Sequence, residues 1–417
     1  MKKIDSSNKW PATLLAFSMI PLSGFALDVY IPSLPDISSK LHATPAAIQL
    51  TLSLFLISLG ICQLFIGSIL DSYGRHLPTV IGLGVFSVSS FVIGLSASIE
   101  TIYAMRIIQG LMVATILVSK RAVFIDLYTG EQLKRYTSMF SVIWAAAPVI
   151  APFIGGFLQV HFGWRSNFFF LGGLGLTLLA FELIVGGETL PARQPFHLKS
   201  IGNAYLQMVR TKDFTMGLII LGLAYTMIMV YGMTSPFLIE RVLHYSPTVT
   251  GNAALVSGLS VMAGGMLSRR LIGKPFFKKA LSGILFMLLS ALLVTAITTR
   301  YTSLFTLLAY VITIHMGGGF IFNTVFSYAL TRFTHMGGKA SGLAGGIYII
   351  LTSTVSQGVV SSWPIHTQTG LGFAYTGLIL AVLVVFVSTK WLTDHATVKK
   401  EEPARGEKTV ALAAMAE

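Results

Sequence analysis

"GSILDSYGRHLP", Gly67 to Pro78, is a short polar turn between two apolar runs, 47–70 and 77–99. Each run is long enough to cross the roughly 30 Å of hydrocarbon in a bilayer. A turn this short therefore joins two antiparallel membrane helices. Inside it, Gly67 would let a neighbouring helix approach closely, and Gly74 can take positive φ at low cost. Asp71 can sit at a helix N-terminus, where the dipole favours negative charge, and Arg75 completes the spacing. An ordinary charged loop would carry the same residues, so the turn sets local topology before it says anything about function.

Apolar runs of spanning length recur on both sides of it. Upstream and downstream they fall near 11–34, 47–70, 77–99, 101–125, 137–160 and 164–186, and again near 214–238, 248–268, 280–299, 303–327, 337–361 and 371–392. The longest internal hydrophilic stretch, 187–213, separates the two sets. The expected architecture is all-α, with twelve transmembrane helices in two six-helix parts: residues 1–186 and 214–392. The 187–213 segment is then a cytoplasmic central loop, and 393–417 a cytoplasmic tail expected to be disordered.

Composition agrees. Of 417 residues 54% are hydrophobic and 11% charged, against about 25% charged in a soluble domain; mean hydropathy is +0.76. The first apolar run is too long for a signal-peptide core and lacks a small-residue cleavage site, so it is expected to stay attached. The one cysteine, Cys62, rules out an intramolecular disulfide and, within an apolar run, reads as a small core residue.

Basic residues orient the chain by the positive-inside rule. With both termini inside, the cytoplasmic face receives Lys2, Lys3, Lys9, Arg75, Lys134, Arg135, Arg193, Lys199, Arg210 and Lys212 from the first part. The second part adds Arg269, Arg270, Lys274, Lys278, Lys279, Arg332, Lys339 and the tail from Lys390. The outer loops keep Lys40, Arg165, Arg241 and Arg300. The net charge of +13 thus reports topology, and a nucleic-acid partner is not expected.

Charges inside the spans are the candidates for function. A carboxylate at bilayer depth costs about 2.5–3.5 kcal/mol or more, yet Asp28 lies in the first run. Arg106 lies at similar depth in the fourth, and a guanidinium keeps its proton. The two are expected to compensate each other, with Gln109 one turn on adding a hydrogen bond. A purely structural pair would look the same. His315, mid-way along the tenth run before Gly317, Gly318 and Gly319, is either a packed core histidine or a cavity-facing group that titrates. Lys120, Arg121 and Glu182 lie near inner ends of their runs, where long side chains snorkel to the interface. No histidine or cysteine spacing suits a metal, no phosphate-binding loop is present and no cofactor is implied. An enzyme or sensor would need a clustered nucleophile–base or metal set, which is absent.

"DVYIPSLP" (28–35), "IQLTLSLFLISLGICQLFIG" (48–67), the Gly67–Pro78 turn, "RIIQG" (106–110), "APVIAPFIGG" (147–156), "GWR" (163–165), "ETLP" (188–191) and "SPF" (235–237) come in one order. In that order the chain resembles the major facilitator superfamily, and within it the bicyclomycin/chloramphenicol-resistance type of drug:proton antiporter. Departures are Ser68, Ser72 and His76 where the family turn has a proline and basic residues, and Ala147 where it has a glycine. The resemblance implies a secondary transporter in a bacterial inner membrane, exporting small amphipathic organic molecules such as phenicols against proton entry, by alternating access. It implies Asp28, Arg106 and Gln109, in their two motifs, as proton- and substrate-coupling groups; His315 joins them only from its own mid-span position and small neighbours. It also implies a latch of Gly67, Asp71, Gly74, Arg75 and Asp126, and a helix-5 antiporter motif of Pro148, Pro152, Gly155 and Gly156. The expected partners are a small-molecule substrate, protons and the bilayer, with the chain a monomer. A specialised siderophore or metabolite transporter is the alternative.

Overall fold

The structure, a computed structural model, describes residues 3–4, 8–193, 198–333, 337–363 and 365–390. The tail from 391 lies outside them. Helices α1 to α13 run in chain order. α1 is Lys9–Lys40, α2 Pro45–Tyr73, α3 His76–Leu95, α4 Ile99–Leu127, α5 Gly130–Phe162 and α6 Arg165–Val185. A short α7, Leu198–Arg210, leads to α8 Lys212–Val242, α9 Pro247–Arg270, α10 Phe276–Thr298, α11 Leu304–Thr331, α12 Gly337–Ser362 and α13 Gln368–Lys390. Eleven of the described helices are long and apolar enough to cross a membrane, and α5 adds a shorter apolar stretch, Ala147–Phe162.

Local chemistry sets the ends. Thr44 and Ser98 accept backbone N–H bonds from Ala47 and Thr101 and so cap α2 and α4. Ser303 and Thr306 form a reciprocal capping box on α11. Gly74 and Gly163, at φ +101° and +75°, end α2 and α5. Large apolar side chains such as Phe157, Leu289 and Phe305 stand exposed around the bundle. Such a belt is stable against lipid tails.

α1 is broken. It runs as Lys9–Met19, Leu22–Asp28, a 3-10 turn Ile31–Ser33 and Leu34–Lys40. Pro32 has no N–H for the Asp28 carbonyl four residues back, and its ring crowds that position. Asp28 therefore sits at the break itself.

The first six spans pack on one another, chiefly α2 with α4 and α3 with α6; the later spans pack around α11. Two seams join the sets: α5 against α9, and α2 against α12. Hydrogen bonds between the two sets, at the α2–α12 seam and between α8 and both α1 and α2, are found at the end far from the termini. Gln49 Nε2 donates to the Met233 carbonyl at 2.7 Å, Ser53 Oγ to Gln357 Oε1 at 2.9 Å, and Arg241 to the Pro35 carbonyl at 3.0 Å.

The 187–213 stretch, expected to be a plain loop, contains α7. Ile201, Ala204 and Met208 form its buried stripe, and Tyr205 donates to the Leu64 carbonyl of α2 at 2.8 Å.

Candidate substrate and proton site

Arg106 is fully buried among α1, α2 and α3. One Nη donates to the Ala26 carbonyl at 2.9 Å and to Gln109 Oε1 at 2.8 Å; Nε reaches the Thr51 carbonyl at 3.4 Å. Gln109 passes the chain on to Ser90 Oγ at 2.8 Å. The guanidinium lies between the rings of Phe55 and Tyr30, 4.3 and 4.8 Å from their centroids, a favourable cation–π setting. The second Nη is buried with no partner among the described residues.

Asp28 is not that partner. It makes no ion pair or hydrogen bond among the described residues. The two make no direct hydrogen bond or ion pair, because Arg106 spends its donors on the Thr51 and Ala26 carbonyls and on Gln109, yet each lies within Coulombic reach of the other, so the expected compensation stands without direct contact. Asp28 keeps accessible surface and lies within Coulombic reach of Tyr225 on α8, across the boundary between the sets. There Tyr225 stands 5.9 Å from both Phe322 and Tyr348, and Phe322 stacks on Phe326 at 5.5 Å. The carboxylate thus has Arg106 and, across the boundary, this ring cluster within electrostatic reach.

His315 is elsewhere. It is fully buried in the last six helices, with Nδ1 2.7 Å from Ser257 Oγ, Nε2 3.4 Å from the Tyr375 hydroxyl, and Tyr231 edge-on at 5.0 Å. Of the two readings offered for it, this burial fits the packed core histidine.

The α2–α3 turn is tightly built. Arg75 donates from Nε to Asp126 at 3.2 Å and from an Nη to Asp71 at 2.7 Å. Asp71 belongs to the last turn of α2, not to a helix N-terminus. A Cβ on Gly74 would overlap the Glu188 carboxylate, whereas Gly67 faces open space and lets nothing approach. Glu188, from the α6–α7 connection, accepts backbone N–H bonds from Arg75, His76, Thr189 and Leu190 and so caps α3. Partial burial works against its charge, but those four N–H groups outweigh it and hold its carboxyl below the usual range. Thr189 Oγ1 braces Asp126 at 2.8 Å.

On α5, Pro148 and Pro152 are helical. A Cβ on Gly155 would overlap the Val29 carbonyl beside Asp28, and one on Gly156 would press on the Pro247 carbonyl of α9. Gly251 and Gly258 return the contact from α9 onto Pro152 and Val149. Ala147, the departure noted above, packs on Gly24 of α1.

Residues 16–356 match the family profile of the Major Facilitator Superfamily. The chain belongs to that superfamily. It is 31% identical over 343 residues to the uncharacterized MFS-type transporter YdgK of Bacillus subtilis (strain 168), covering 79% of this chain and 83% of that one. It is 29% identical over 265 residues to the multidrug resistance protein MdtL of Vibrio parahaemolyticus, covering 62% and 67%. A bicyclomycin resistance protein homolog of Haemophilus influenzae is 30% identical over 203 residues, covering 48% and 50%. Among solved structures, a point mutant of the nucleoside transporter NupG superposes with a TM-score of 0.71 at 15% identity, covering 92% and 99%. This is a likeness of fold.

For a superfamily transporter, two features escaped the sequence reading. Lys120 does not snorkel: its Nζ lies 2.7 Å from both oxygens of Glu182, which also meets His76 Nδ1 at 3.0 Å, and Lys120 and Glu182 are buried. The second is Glu188, whose place in "ETLP" is plain from the sequence but whose reach back to the turn is not.

Proposed function

We propose that this integral membrane protein is a proton-coupled exporter of small amphipathic organic molecules, acting as a monomer by alternating access. The observation that carries the reading is Asp28: a partly accessible carboxylate at a helix break, without a hydrogen bond or ion pair among the described residues, within Coulombic reach of Arg106 in its own set and of Tyr225 across the boundary. An unpaired carboxylate at that depth is cheapest when it holds a proton or faces a bound cation or water. Asp28 is then the group for which proton and substrate compete, which couples their fluxes.

Arg106 and Gln109 serve as the scaffold that fixes the broken α1. The glycine-lined α5–α9 seam is where the two sets rock. Arg75, Asp71 and Asp126, with Gly74, hold the turn as a latch. With the termini cytoplasmic, closure at the far end corresponds to the inward-facing state. Similarity to proteins named for multidrug and bicyclomycin resistance supports drug-like cargo.

The test is transport by Asp28→Asn in proteoliposomes under an imposed pH gradient, with a panel of amphipathic compounds. Proton-driven flux should vanish while the purified variant stays folded and still binds a neutral substrate. Normal gradient-driven export by Asp28→Asn would remove the carboxylate from the mechanism.

A further inference from the structure

Arg121 on α4, like Asp28, is a charge without a hydrogen bond or ion pair among the described residues. It is partly accessible, and its Nε is buried without a partner. It makes no hydrogen bond or ion pair among the described residues. The carboxylates of the α2–α3 turn, the inner end of α4 and α6, and the α6–α7 connection are already engaged. Glu182 is taken by Lys120 and His76, Asp126 by Arg75 and Thr189, Asp71 by Arg75, and Glu188 by four backbone N–H groups. The contrast with the adjoining Lys120 is direct: one cation is neutralised inside the first set and its neighbour is not.

Helical side chains lean toward the N-terminus of their helix, which for α4 is away from the terminal side and toward the bundle centre. Tyr348 of α12 lies within its Coulombic reach. Tyr348 is also part of the ring cluster with Tyr225 and Phe322, at 5.9 and 5.2 Å, and Tyr225 in turn feels Asp28. Thus a guanidinium, a wall of rings and a carboxylate follow one another along the boundary between the sets. An uncompensated guanidinium at this depth is costly, and an incoming anion relieves that cost.

We propose that Arg121 is a specificity-determining residue that receives the anionic group of an aromatic, amphipathic substrate. The cavity then favours zwitterionic or anionic organic molecules over plain cations. This rests on the export reading above and adds the charge class of the cargo.

The test is equilibrium binding in a neutral maltoside detergent, free of anionic lipid headgroups, with three probes: norfloxacin (zwitterion), chloramphenicol (neutral) and ethidium (cation). Arg121→Gln should weaken norfloxacin binding at least about tenfold, leave chloramphenicol within about twofold and leave ethidium unchanged or tighter. Arg121→Lys should retain part of the norfloxacin affinity. Since nothing among the described residues compensates Arg121, the melting temperature of Arg121→Gln should stay level or rise. Equal loss for all three probes, unchanged norfloxacin binding, or a misfolded Arg121→Gln would overturn the assignment of Arg121 while leaving export intact. Wild-type protein that moves none of the three under a pH gradient would overturn the export reading and this one with it.

Discussion

Replacing Glu182 by Gln strands a cation. Lys120 Nζ spends its hydrogen bonds on the two Glu182 oxygens, at 2.7 Å each, and both side chains are almost wholly buried. Breaking a buried pair by removing one partner costs about 3–5 kcal/mol. At about 2–4 °C per kcal/mol for a body the size of one six-helix set, Glu182→Gln should lower the melting temperature by roughly 6–20 °C. Lys120→Met should cost less, because His76 remains 3.0 Å from the abandoned carboxylate and can share a proton with it. The double variant Lys120→Met/Glu182→Leu should fall less than Glu182→Gln alone, since a buried ion pair is often replaceable by apolar residues. The assay is tryptophan-fluorescence unfolding in detergent with the four proteins side by side. If Lys120→Met proves as damaging as Glu182→Gln, or the double variant is the worst of the set, the Lys120–Glu182–His76 contacts do not share the buried charge in the way described.

Further expectations concern the seam, the turn and the buried histidine. Gly155→Ala should lose about 1–3 kcal/mol from overpacking on the Val29 carbonyl and slow transport, while Gly67→Ala, facing open space, should be silent in both melting and flux. Glu188 has a lowered pKa, so its contribution is full above the ordinary carboxylate value and is lost as pH falls through the lowered one. Glu188→Gln should therefore be less stable than wild type at neutral pH and converge with it in acid, as a melting-temperature series against pH would register. His315→Cys, in a background lacking Cys62, should resist a membrane-permeant thiol reagent with or without substrate; brisk labelling would return that position to the cavity.

The spans were legible because the bilayer demands them: a run that must hide its backbone from hydrocarbon announces its length and composition. The grouping of Arg75 with Asp126 was legible through the family resemblance, with Arg75 in the short α2–α3 connection and Asp126 in the last turn of α4 at the same end of the bundle. Azimuth was not. Depth along an apolar helix says nothing about which side faces a cavity, so it could neither separate a direct Asp28–Arg106 pair from compensation at a distance nor choose between a packed and a cavity-facing His315. Arg106 in addition binds the carbonyls of Ala26 and Thr51, and carbonyls carry no sequence identity. Lys120 and Glu182 meet across 62 positions, beyond any local pattern. α7 is a different kind of miss: Ile201, Ala204, Tyr205 and Met208 carry the helical period in plain view, but the polarity of the surrounding stretch masked it.

Ala147 and Gly24 share one volume. A Cβ on Gly24 would strike the Ala147 methyl, so the methyl that α5 carries where the family motif has a glycine is housed by a methyl that α1 lacks. The antiporter segment is therefore written in two stretches of the sequence more than a hundred positions apart. Whether a relative's helix 5 is intact can be judged only by reading position 24 with position 147, as a single site holding one methyl group.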